Sequence, residues 1–362
     1  MHIRRTHLLI GALASAVLSA CGGGGSGGGA TPTTPTGNES TTPTPPVQAA
    51  ADTPITITNA NASQTAGLGQ IVVSNTVNLG GQTSNLLVGA ETNSESAMTP
   101  PGLLSISFKM LDTATQAWEQ PPAELATGAT RLNVVRCAQS GTSSTKVVAK
   151  SLNEINVGDQ ITVEYKDCVE SGFTFSGRVD MVIDGVSGSS PFDQGIKASI
   201  TFSQLGAIYG GSYGATFNGK VQAYRFGQNA LLSGWVKSDG MQIDYLRESK
   251  TGSMKFAPLD IKFEAAGSNI QYDISGDVSA DFPTVKGKLN IATSTKLAQS
   301  ENGVLTDGHI KFSGKTGHQK LNYRPAYRLD MPDLEVQSDF NDDGSVDLSE
   351  SVSLGTLLDR LW

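Results

Sequence analysis

The sequence is short of the residues that most often carry catalysis or hold a cofactor. It has three cysteines and four histidines in 362 residues. His2 and His7 fall in an apolar leader, which leaves His309 and His318. Neither has a cysteine or an acidic partner at ligand spacing, so both read as surface histidines. Basic residues are outnumbered as well: 26 Lys and Arg stand against 34 Asp and Glu, a formal charge of −8. That argues against nucleic acid and against electrostatic binding to an anionic lipid surface. No phosphate-cradling loop is visible. The leader's apolar run is too short for a permanent membrane-spanning helix. Gly210-Gly211-Ser212-Tyr213-Gly214 has the letters of a nucleophile elbow, but it lies between two strand patterns, where an elbow needs a strand and then a helix. The same letters recur at Gly24–Gly28, so composition alone produces them.

What is present begins at the front. MHIRRTHLLIGALASAVLSAC has a basic start at Arg4 and Arg5, an apolar run from Leu8 to Leu18, and then small residues. This is the pattern of a secretory signal. Leu18-Ser19-Ala20-Cys21 resembles the bacterial lipobox. The resemblance implies cleavage before Cys21 and lipid on its thiol and amine; the alternative is an ordinary secreted protein with a cysteine at the cleavage site. Gly22 in place of Asp implies, by analogy with enterobacterial sorting rules, the outer membrane. Residues 1–20 are then a lipoprotein signal peptide. Residues 21–53 are a lipidated Gly/Thr/Pro-rich tether, too poor in apolar surface to offset the entropy of ordering. Its Gly part is flexible and its Thr/Pro part stiffer, and the acyl chains would do the anchoring. Losing Arg4 and Arg5 leaves 24 basic residues against 34 acidic ones, so the mature chain carries −10.

Residues 54–325 read as a β-rich domain with a helical N-terminal part. TPITITNANASQTAGLGQIVV starts strand-like and turns Ala-rich. Leu104, Phe108, Leu111 and Trp118 fall near helical spacing, which predicts one or two N-terminal helices. From Arg131 onward, a dozen segments from RLNVVRC to HIKFSGK alternate apolar with polar residues, separated by Gly, Asn, Asp or Ser clusters. Consecutive antiparallel strands with one buried face give this pattern. No helix-length periodic stretch interrupts them, so a parallel βαβ sheet is excluded. An apolar residue, Ser or Asn, then Gly recurs at Gly177, Gly219, Gly234, Gly276 and Gly314. Glycine inside a strand marks a bulge or bend, and repeated bends curve a sheet. The expected fold is mainly β: a curved antiparallel meander or half-barrel.

With Cys21 lipidated, Cys137 and Cys168 remain as an even pair in an oxidising compartment. A disulfide is the expectation, worth roughly 3–4 kcal/mol for a loop of about 30 residues; two buried free thiols are the alternative. Cys137, Val157-Gly158-Asp159-Gln160-Ile161-Thr162-Val163, Cys168, Gly172 and Phe175-Ser176-Gly177 together resemble a group of uncharacterised proteobacterial lipoproteins. The resemblance covers about forty residues. It implies a β-rich envelope domain and a disulfide, and no activity.

Residues 326–362 read as a calcium loop followed by a helix. From Asp339 to Glu350 the chain runs D-F-N-D-D-G-S-V-D-L-S-E, which matches the EF-hand calcium-loop pattern. Ca²⁺ takes six to eight oxygens at about 2.3–2.6 Å. Asp339, Asn341 and Asp343 offer side-chain oxygens, Ser345 its carbonyl, Asp347 a contact through water, and Glu350 both carboxylate oxygens. Gly344 permits the sharp turn. Leu354, Leu357, Leu358 and Leu361 fall on one helical face, so Glu350 is expected to begin an exiting helix. On the entering side, RLDMPDLEVQS with Pro332 predicts a turn or a brief helix. The resemblance therefore covers the loop and one helix, as in dockerin-type modules.

No catalytic set emerges. The expectation is a non-catalytic, outer-membrane-anchored lipoprotein that binds an unidentified partner or ligand, with Ca²⁺ as a structural clamp. Two alternatives stand beside it: a carrier holding a hydrophobic ligand in a concave sheet, and an envelope polysaccharide hydrolase with a carboxylate pair across a cleft.

Overall fold

A computed structural model of the chain describes residues 52–77, 130–151, 154–170, 172–188, 195–228, 231–266, 269–299, 305–324 and 334–362. The lipobox with Cys21, the tether up to residue 51 and the expected helix at Leu104–Trp118 lie outside these. The last two residues of the expected tether, Asp52 and Thr53, are described, and Thr53 O accepts Lys288 N–H.

Within the described residues the fold is one antiparallel sheet of 15 strands. In chain order they are β1 (Thr130–Arg136), β2 (Ser140–Val148), β3 (Gln160–Glu170), β4 (Phe173–Ser187), β5 (Gly195–Tyr209), β6 (Tyr213–Gln228), β7 (Leu231–Ser238), β8 (Met241–Arg247), β9 (Lys250–Ala266), β10 (Asn269–Asp281), β11 (Lys286–Gln299), β12 (Leu305–Ser313), β13 (His318–Tyr323), β14 (Leu334–Asp339) and β15 (Leu348–Val352). Each strand pairs with the next, except that β7 and β8 share β6 and β9 as neighbours. The mainly β meander expected from the alternation is what forms. Helix α1 (Ala62–Thr76) precedes the sheet and α2 (Leu354–Asp359) follows it.

The alternation decides which face is buried. Ile196, Ala198, Ile200 and Phe202 on β5, Ala223 on β6, and Leu289 and Ile291 on β11 join one apolar core. The intervening residues form a polar outer face with cross-strand pairs such as Lys237–Asp260 at 3.2 Å. Helix α1 belongs to the same core. All but two of its 15 residues are buried, including the polar Thr65, Gln70, Ser74, Asn75 and Thr76. A helix buried on every side must have its polar side chains matched. β13 does much of this. Gln319 accepts from Thr65 Oγ1 (2.6 Å) and donates to Ala62 O (2.7 Å) and Ser338 Oγ (3.1 Å), while Tyr323 OH donates to Gln70 Oε1 (2.8 Å). Ahead of α1, the strap Thr53–Ile57 is hydrogen-bonded on both sides. Ile55 N–H donates to Lys288 O and Lys288 N–H to Thr53 O; Lys315 N–H donates to Ile55 O and Ile57 N–H to Thr316 O.

Three of the five recurrent glycines are at bulges. The pairing register shifts at or directly opposite Gly177, Gly219 and Gly276, and all three have positive φ (94°, 125° and 154°). Gly234 lies in an unbroken ladder, and Gly314 falls just past the end of β12. What those two share is close backbone approach: a Cβ would come within 2.1 Å of Tyr224 O or Ile55 O respectively.

The Gly158-Asp159 step has a structural role. Asp159 is buried, and its two carboxylate oxygens accept Lys150 N–H (2.9 Å) and Asn156 N–H (2.7 Å). Replacing Asp159 by Ala would leave both donors unmatched. We expect a loss of about 1–3 kcal/mol in denaturant unfolding, whereas Asp159→Asn should retain part of the stability.

Cys137 and Cys168 are bonded, with Cα atoms 5.4 Å apart. They pack with Phe175 and Ala207, flanked by Tyr165 and Phe173, in a small satellite of the core.

Candidate metal centre

The acidic loop is the tip of the β14–β15 hairpin. Residues 334–339 alternate buried Leu334, Val336 and Ser338 with less buried neighbours, as strand residues do. They form β14 where the second half of RLDMPDLEVQS was expected to be a turn or brief helix; its first half, residues 328–333, lies outside the described residues. The run is six residues long and follows Pro332, too short for its alternation to stand out in the sequence. Five residues of β15 then pair back onto β14, with Leu348 opposite Ser338 and Val352 opposite Leu334.

Asp339, the last residue of β14, is 3% exposed. Its Oδ1 accepts the N–H groups of Asn341 (3.2 Å) and Asp342 (2.7 Å), and its Oδ2 accepts that of Gly344 (2.9 Å). Asn341 Oδ1 accepts Asp343 N–H (3.1 Å), and Asp343 Oδ1 accepts Ser345 N–H (2.8 Å). Asp347 closes the turn by accepting Phe340 N–H at 2.7 Å. Gly344 has φ 86° with open space where a Cβ would be. Asp339, Asn341 and Asp343 thus each cap the backbone N–H two residues on, in three successive turns of the hairpin tip.

Glu350 departs from the expectation. It lies in β15, opposite Val336, and does not begin a helix. Helix α2 starts at Leu354, capped by Ser353. The loop is therefore flanked by two strands. Glu350 instead accepts from Arg360 Nη1 at 2.8 Å. The helical face behind the loop is real: Leu357 and Leu361 are fully buried and Leu358 packs beside them. Trp362 meets Phe282 edge-on, ring centres 5.3 Å apart.

The sequence reading missed two residues here. His318 was read as having no acidic partner. On β13, next to α1's anchor Gln319, its Nδ1–H donates to Asp342 Oδ1 (2.9 Å), and its Nε2 lies 3.8 Å from Asp339 Oδ2. Asp342 Oδ2 also accepts Gly317 N–H at 2.8 Å. Ligand atoms of His318, Asp339 and Asp342 all fall within 4.8 Å of one another. The two partners are 24 residues apart, so only the fold brings them together. His309, by contrast, has Thr295 Oγ1 at 3.4 Å from its Nδ1.

The hydrogen bonds set the electrostatics. His318, then Gly317 N–H, hold the Asp342 carboxyl below its ordinary 3.8; the Ser345 hydroxyl, then the Ser345 N–H and Asn341, do the same for Asp343. Both groups are fully ionised near neutrality. Their contribution to stability is complete above the ordinary value and is lost as pH falls through the lower folded one.

Hard oxygen donors of this kind suit Ca²⁺. The oxygens the loop could offer such an ion are those of Asp339, Asn341, Asp343, the Ser345 carbonyl and Asp347, while Glu350 pairs with Arg360; the side-chain ligand atoms that lie close together are those of His318, Asp339 and Asp342. Comparison with protein-family models, with curated proteins and with solved structures finds no match.

Proposed function

We propose that this is a non-catalytic, lipid-anchored protein of the bacterial outer membrane, a tethered β domain whose C-terminal hairpin binds Ca²⁺ as a structural clamp. The observation that supports the reading is the run of three successive turns in which Asp339, Asn341 and Asp343 each accept the backbone N–H two residues on, at the tip of one hairpin. That tip is joined to the protein's end in two ways: β15 runs into α2, and Glu350 pairs with Arg360. Bound Ca²⁺ would neutralise carboxylates crowded into one turn, and Arg360 and the buried Leu357 and Leu361 would hold α2 in place behind it.

The packing of the sheet supports a structural role over a carrier. Helix α1 lies in the apolar core, where an acyl chain would otherwise sit. A hydrolase has less support. On the outer face Asp180 pairs with Arg178, Asp277 with Lys288 and Asp281 with Lys286, the arrangement of a solvated surface.

Calorimetric titration of the purified chain with Ca²⁺ tests the metal: heat and a raised melting temperature are expected, and their absence rejects it. Anchoring has its own test. Cys21→Ala should abolish labelling by radioactive palmitate and move the protein from the membrane fraction to the soluble one. A variant that stays labelled and membrane-bound would end the lipoprotein reading.

A further inference from the structure

The two edges of the sheet are built differently. β15 is five residues long, Leu-Ser-Glu-Ser-Val, and leads into α2 through Ser353. β1 is seven residues, Thr-Arg-Leu-Asn-Val-Val-Arg, and among the described residues it pairs with β2 alone. Leu132 is 63% and Val134 57% exposed. An edge strand presents unpaired N–H and C=O groups, and natural edges are blunted by charged side chains, proline or bulges. β1 has no proline, its charges are confined to Arg131 and Arg136 toward its two ends, and its seven pairs with β2 run without a register shift.

We propose that β1 is the docking edge for a second copy of this chain, pairing β1 to β1 antiparallel about a two-fold axis at Asn133. The argument is the strand's self-complementarity. Only this register pairs all seven positions. It sets Leu132 of each copy opposite Val134 of the other, so the two exposed aliphatic residues cover one another. In the backbone register Arg131 falls opposite position 135 and Arg136 opposite position 130, so the pairing sets no arginine position opposite another. Lys146 and Ser144, the β2 partners of Leu132 and Val134, flank the aliphatic pairs with polar residues. A two-fold contact of one patch with itself is the commonest way that soluble chains associate. A strand also satisfies the open backbone groups, which a lipid or small apolar ligand does not.

The test is site-directed cross-linking of the full chain in a Cys21→Ala background, which removes a competing thiol. At a two-fold centred on residue 133 the two Cα atoms lie about 4.5–5.5 Å apart, within disulfide reach. Asn133→Cys should therefore oxidise to a covalent dimer, seen on non-reducing gels and as a doubled mass in sedimentation. Leu132→Cys, displaced along the strand from its own copy, should cross-link at least tenfold less. Adding Val134→Lys to Asn133→Cys should also lower the dimer at least tenfold while the melting temperature stays unchanged. A monomeric Asn133→Cys at every concentration overturns the proposal. So does equal cross-linking at 132 and 133, which would mark random collision. Slow amide exchange along β1 in a monomer would mean that another part of the chain covers the edge, and overturns it too.

Discussion

Asp339→Ala is expected to lose the whole calcium-dependent gain in stability, and to be less stable than the wild type even in chelator. The wild-type chain at a free Ca²⁺ one hundred times its Kd should gain about 2.7 kcal/mol by mass action. Loops of the extracellular kind bind at around 10⁻⁴–10⁻³ M, so the gain should show in the millimolar range and above. The second loss has a separate cause. Asp339 is buried and accepts three backbone N–H groups, from Asn341, Asp342 and Gly344. Removing those acceptors should cost about 1–3 kcal/mol without any metal. Asp343→Asn separates the two effects. Its amide oxygen can still accept Ser345 N–H, so stability in chelator should stay near that of the wild type while the calcium response falls. Thermal unfolding with and without Ca²⁺ reads all three proteins. An undiminished calcium response in Asp339→Ala would place the metal elsewhere.

Replacing both Cys137 and Cys168 with Ser should cost about 2–5 kcal/mol, the usual loss for a native disulfide closing a loop of this size. The bond ties the turn after β1 to β3, over Phe175 and Ala207. Its loss should loosen that end of the sheet first. Hydrogen exchange in β1 and β2 should speed up before it does in β9–β11. The calcium response should survive, because the acidic hairpin lies at the other end of the strand order. Uniformly faster exchange, or a lost calcium response, would mean that the two ends unfold as one unit.

These contrasts follow how the sequence encodes the fold. Alternation was clearest where strands are long and one face is fully buried, from β3 to β12, and there the reading and the structure agree. It failed for β13, β14 and β15, which are five or six residues long, too short for a period of two to stand out against nearby Pro and Asp. The helical stripe Leu354–Leu361 was legible because leucines three and four apart have no other simple reading. Its start was not, because a calcium loop of EF-hand type carries the expectation of a helix at Glu350, whereas backbone pairing with β14 places that residue in a strand. His318 was invisible as a partner because sequence spacing says nothing about neighbours in a sheet. The Gly-x-Ser-x-Gly string at Gly210–Gly214 proved to be the β5–β6 turn, where Ser212 N–H donates to Tyr209 O at 3.0 Å.

The strap Thr53–Ile57 determines how load would enter the molecule. A pull arriving from the front of the chain meets peptide bonds clamped from two directions, by Lys288 on one flank and by Lys315 and Thr316 on the other. The strap's partners lie on β11 and in the turn after β12, both strands inside the sheet. Neither border strand has to be peeled away for the body to hold against its leash.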